Sequence, residues 1–100
     1  MKTTLFTLLL LAPLLCNAYP RSQAVKHAFQ RANPCPSTQA LRGSCKGWVI
    51  DHRIALCVGG TDTVDNMRWM TVETAKAKDR WECRPGWEQK LQQCEETGCH

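Results

Sequence analysis

The sequence predicts a small α+β domain: two strands joined by a long loop and followed by a helix, with flanking helices, the whole stapled by disulfides. Three observations carry that expectation. The β-branched run Trp48-Val-Ile-Asp51-His52 leads into a loop bearing Gly59-Gly60, and the chain returns as a second strand over residues 66–70. Strong helix formers, among them Ala75, Lys76, Ala77, Lys78 and Arg80, occupy residues 72–82 directly afterwards. Six cysteines, Cys35, Cys45, Cys57, Cys83, Cys94 and Cys99, are spread over the same region.

The chain opens with Met1-Lys2, runs through an apolar stretch at residues 5–15 and reaches Cys16-Asn17-Ala18, the pattern of a secretory signal peptide over residues 1–18 cleaved after Ala18. The apolar stretch is short for a membrane span and no second one follows, so no membrane anchor is expected. Lipidation at Cys16 is set aside because the bulky Leu15 precedes it. Residues 19–100 then form a single domain, secreted or periplasmic, whose apolar core is marginal for its size. An even number of cysteines in an exported chain argues for three disulfides. With Lys2 removed, 12 basic face 9 acidic side chains. That balance is compatible with a polyanionic partner without demanding one.

In order along the chain, a helix is expected after Ser22 as its cap and is stopped by Asn33-Pro34-Cys35-Pro36, since proline lacks an amide donor and biases its predecessor to extended backbone. A loop follows to Gly47, then the first strand at Trp48–His52 and a wide loop from Cys57 to Asp65. The second strand returns over residues 66–70 and Thr71 caps the helix of residues 72–82. After Arg84-Pro85-Gly86, Trp87, Leu91 and Cys94 recur at the spacing of a short amphipathic helix, with residues 95–100 as a polar tail. There is no internal repeat and no low-complexity segment.

Hydrolysing a phosphodiester at neutral pH takes a group that removes a proton from water and a positive centre that neutralises the phosphate. His52 is of the first type and Asp51, as an oxygen ligand for a divalent cation, serves the second. Neighbours on a regular strand point to opposite faces, so serving one site requires a bend or bulge, which the Gly59-Gly60 loop is expected to permit.

Asp51-His52, Gly59-Gly60, Asn66-Met67 and the segment Glu73-Thr-Ala-Lys76-Ala-Lys78-Asp79-Arg-Trp81-Glu82 together resemble the HNH endonuclease family with its ββα-metal fold. The resemblance is closest to small exported bacterial members with an upstream Pro-Cys-Pro-Ser/Thr segment, here Pro34-Cys35-Pro36-Ser37-Thr38, and covers roughly residues 29–83. It implies His52 as general base, Asn66 as the residue bracing the loop behind it, and Asp51 as a ligand for Mg²⁺ or Mn²⁺. Two positions depart from the pattern: Ala55 replaces the usual proline, and Ala75 stands where many members carry the last ligand. Glu73 or Asp79 is the candidate replacement, with Glu73 preferred.

Arg53, Lys76 and Lys78, with Arg68 and Arg80, are candidate phosphate contacts, against the alternative of a solvated helix face. Trp48, Trp69, Trp81 and Trp87 are assigned to packing before base stacking. A structural zinc site is disfavoured because no Cys-x-x-Cys occurs, and the expected pairs are Cys35–Cys45, Cys57–Cys83 and Cys94–Cys99. His27 and His100 read as surface residues. The expectation is therefore a secreted metal-dependent endonuclease acting on DNA, with no protein partner inferable. The alternative is a disulfide-stapled binding module on the same scaffold without efficient chemistry.

Overall fold

The computed structural model describes residues 21–99; the expected signal peptide and His100 lie outside the described residues. The chain folds as a small α+β unit with a two-stranded sheet, three helices and three disulfides.

Helix α1, Gln23–Ala32, begins where the Ser22 hydroxyl accepts from the Val25 amide at 3.2 Å, satisfying one of the amides a helix start leaves free. It ends at Asn33, whose backbone amide and side-chain amide both donate to the Phe29 carbonyl, and Pro34 prevents continuation. Phe29 is only 4% exposed and packs its ring 5.9 Å, centroid to centroid, from that of Trp69, which also donates from its indole nitrogen to the Asn33 carbonyl at 2.7 Å. Trp69 thus packs; Trp48, Trp81 and Trp87 are half-buried.

Strands β1, Trp48–His52, and β2, Met67–Thr71, pair antiparallel in a continuous register from Trp48 opposite Thr71 to His52 opposite Met67. The expected bulge at Asp51-His52 is absent. Gly60 instead lets the connecting loop fold back onto the end of β1: a Cβ there would lie 1.8 Å from the Ile54 carbonyl oxygen, and its amide donates to the Ala55 carbonyl at 2.9 Å. The loop contains two single 3₁₀ turns, Leu56–Val58 and Val64–Asn66, so β2 starts one residue later than expected.

Helix α2, Val72–Asp79, is capped by Thr71, whose hydroxyl accepts from the Thr74 amide at 3.2 Å, and it packs on both strands. Its last turn tightens over residues 80–83, where the Trp81 and Glu82 amides both turn to the Lys78 carbonyl, so the regular helix stops short of Glu82. Helix α3, Trp87–Thr97, runs three residues beyond Cys94 into the expected polar tail. Glu95 accounts for part of that extension, because Arg53 and Arg68 from the sheet end hold its carboxylate at 2.8 and 3.5 Å.

The buried apolar side chains are few: Phe29, Ala55, Met67, Met70, Ala77 and Leu91 beside cysteines. Three disulfides supplement them. Cys35–Cys45 closes the loop before β1, Cys57–Cys83 ties the loop between the strands to the chain after α2, and Cys94–Cys99 closes the end of α3. They fit an oxidising environment. Among the described residues no helix is long and apolar enough to cross a membrane.

Candidate functional site

Strand β1 delivers Asp51 and His52 to a cavity of about 480 Å³ closed on its other side by α2. Residues Val72, Ala75, Lys76 and Asp79 line it, the spacing of one helical face. Arg21 and Lys26 reach it from the start of α1.

His52 is 14% exposed in its side chain, and its Nε2 lies 2.8 Å from Asp62 Oδ1. A carboxylate only accepts, so Nε2 carries the proton and the neutral ring keeps its basic lone pair on Nδ1. The other oxygen of Asp62 accepts from the Ser22 amide at 2.7 Å. One carboxylate therefore fixes the histidine and pins the loop to the start of α1. Hydrogen bonds from His52 and then from the Ser22 amide hold the Asp62 carboxyl below its ordinary value, against a smaller upward push from desolvation.

Behind His52 the loop is braced by Asn66, 7% exposed. Its Oδ1 accepts from the Ile54 amide at 3.0 Å, and its Nδ2 donates to the carbonyls of Ile54 at 2.9 Å and Thr61 at 2.8 Å. Its own carbonyl accepts from the Arg53 amide at 2.7 Å. The side chain satisfies three backbone groups that the abrupt end of the sheet would otherwise leave without partners.

Asp51 has a different environment. Lys78, 1% exposed, places Nζ 3.0 Å from Asp51 Oδ2, donates to the His52 carbonyl at 2.9 Å, and pairs with Glu82 one turn further on. Desolvation pushes the Glu82 carboxyl up, outweighing the opposing effect of Lys78, with the nearby Asp79 adding to the rise.

Four of the predicted site residues change place or role in the structure. Lys78 is buried in this ion-pair cluster and presents no charge to a phosphate. Arg53 is spent on Glu95, and although its side chain is 44% exposed it does not line the cavity. Glu73 is exposed and off the cavity, because it stands about 100° round α2 from Val72. Asp51 faces an ammonium. Of the expected phosphate contacts only Lys76 stands on the cavity, joined by Arg21 and Lys26, which the sequence reading missed. It missed Asp62 as well, a loop carboxylate whose one legible signal is its place after Gly59-Gly60 in a loop that must fold back to His52.

The donors present do not fit a divalent cation as arranged. Asp79 and Glu82 share the cavity with Asp51 and His52, yet among the described residues no three His, Cys, Asp or Glu side chains converge to hold a metal ion. No protein-family model, curated protein or solved structure matches the chain.

Proposed function

We propose that the protein is an exported nucleic-acid hydrolase of the HNH-like ββα kind, cutting phosphodiester bonds in DNA with His52 as general base. One observation supports this above the others: an oriented histidine opens on a cavity lined by the cations Arg21, Lys26 and Lys76 beside the carboxylates Asp51, Asp79 and Glu82. Asp62 holds the ring in one tautomer, leaving Nδ1 to take a proton from water while Nε2 remains bonded to the carboxylate. The imidazolium so formed is stabilised by the same carboxylate. Arg21, Lys26 and Lys76 attract the backbone phosphates without reading base sequence. Asn66 and Gly60 act through His52, keeping the loop that carries Asp62 in register with the strand end. The Mg²⁺ or Mn²⁺ implied by the resemblance finds no converged ligand set among the described residues.

The Asp51–Lys78 ion pair favours a second reading, a DNA-binding module on this scaffold that does not cut. Nicking of supercoiled plasmid by the protein and by His52→Ala, each with Mg²⁺, Mn²⁺ or EDTA, separates the two. The hydrolase reading expects nicking that falls by a factor of about 10²–10⁴ on loss of the base. Salt-sensitive binding with no nicking under any condition leaves the module.

A further inference from the structure

Lys78 Nζ is surrounded by a set of oxygens that a hard cation would choose: the Asp51 carboxylate at 3.0 Å, the His52 carbonyl at 2.9 Å and the Glu82 carboxylate. Two carboxylates and a backbone carbonyl from the strand end and the turn after α2 converge on one buried point, and the group at that point is already positive. The lysine is 1% exposed, so its charge is spent wholly inside the cluster. We infer that the Lys78 ammonium is the built-in cation of this site, standing where a divalent ion would otherwise bridge Asp51 and Glu82.

A tethered ammonium differs from a metal ion in two ways that matter here. It has no open coordination position through which to hold a phosphate or a water, so it neutralises Asp51 without offering Lewis acidity to the cavity. It also excludes a second cation, because two like charges within about 3 Å repel strongly in a desolvated setting. Asp51 in the native protein is thus a structural anion, and divalent ions do not bind through it. Taking the ammonium away leaves two carboxylates and a carbonyl facing one another, and this set accepts a divalent ion.

The experiment is a Mn²⁺ titration of the protein, of Lys78→Ala and of Lys78→Ala combined with Asp51→Asn. Free Mn²⁺ is read by electron paramagnetic resonance and thermal unfolding is followed in parallel. The expected result is no stoichiometric uptake and no shift of Tm for the native chain. Lys78→Ala has a lowered Tm, takes up one Mn²⁺ and recovers several degrees on doing so, and the double variant loses both effects. Stoichiometric uptake by the native chain that Asp51→Asn abolishes overturns the inference, as does a folded Lys78→Ala that takes up none. Should Lys78→Ala not fold, Lys78→Gln takes its place, and the comparison of the native chain with Asp51→Asn remains decisive. The inference concerns the same site as the hydrolase reading but does not depend on it. Every readout is metal uptake or its effect on Tm and none is DNA cleavage, so failure of either leaves the other standing.

Discussion

Asp51 and His52 are adjacent in the chain and line the same cavity, yet the structure gives them different partners. His52 belongs to a chain of contacts that runs through the loop, from the ring to Asp62 to the Ser22 amide, open to a cavity that carries charges of both signs. Asp51 belongs to an ion-pair cluster with Lys78 and Glu82 whose central ammonium is out of solvent while its two carboxylates line the cavity. The register is unbroken and both side chains line the cavity, so what separates them is the partner each meets, a loop carboxylate for His52 and a helix ammonium for Asp51. The side chains of one dipeptide are thus set apart by partners distant in sequence, Asp62 for His52 and Lys78 for Asp51.

The largest test of that contrast is Lys78→Ala. Removing one member of a buried ion pair leaves uncompensated charge, a loss of about 3–5 kcal/mol. Urea denaturation in EDTA measures it, and a loss below about 1 kcal/mol would show the cluster to be solvent-screened, as exposed pairs are.

Asn66→Ala probes the other side. Deleting a side chain that serves the Ile54 amide and two carbonyls costs about 1–3 kcal/mol for a buried group left unpaired. It should also disorder the loop that carries Asp62, seen as faster amide exchange over residues 53–66. Unchanged exchange would mean that Gly60 packing alone fixes the loop.

Smaller still is the pH dependence through Asp62. Its carboxyl is held below its ordinary value, so the stability it contributes is complete above the unfolded pKa and is lost as pH falls through the lowered folded value. The difference in stability between the native chain and Asp62→Asn should therefore shrink on acidification within the range below about pH 4. A difference that stays constant there contradicts the assignment.

Ala55→Pro sharpens the comparison least. Ala55 has φ −63°, which proline adopts without strain, so the substitution should stabilise by about 0.4–1 kcal/mol through the unfolded chain. Destabilisation would show that the loop entry needs the alanine amide.

Much of the fold was legible because it is locally determined. The bounds of β1, the caps at Ser22 and Thr71, and the order strand, loop, strand, helix follow from residue types a few positions apart. The three cysteine pairs also match, two of them short-range closures and the third tying the loop between the strands to the chain after α2. The candidate site was legible in part. His52 and Lys76 share the cavity, and Asn66 makes the loop's hydrogen bonds. Arg21 and Lys26 were not foreseen, because they arrive through the docking of α1, set by Phe29 against Trp69 and by Ser22 against Asp62, and Asp62 was not, because it reaches His52 only when the loop between the strands folds back. Lys78 misled for a related reason. Within Lys76-Ala-Lys78 it reads as solvated surface, and only the tertiary fold reveals the three oxygens that compensate its burial. Arg53 likewise finds Glu95 forty-two residues on, beyond the reach of local pattern.

With the His52 ring proposed as the proton acceptor in phosphodiester cleavage, chemical rescue of its loss is the decisive measurement. DNA cleavage by His52→Ala should be slow and should rise with added imidazole, while Lys76→Ala, which removes the proposed phosphate contact but keeps the proposed base, should gain nothing from it. A His52→Ala variant that cuts as fast as the native chain, or a native chain that cuts nothing, contradicts the account.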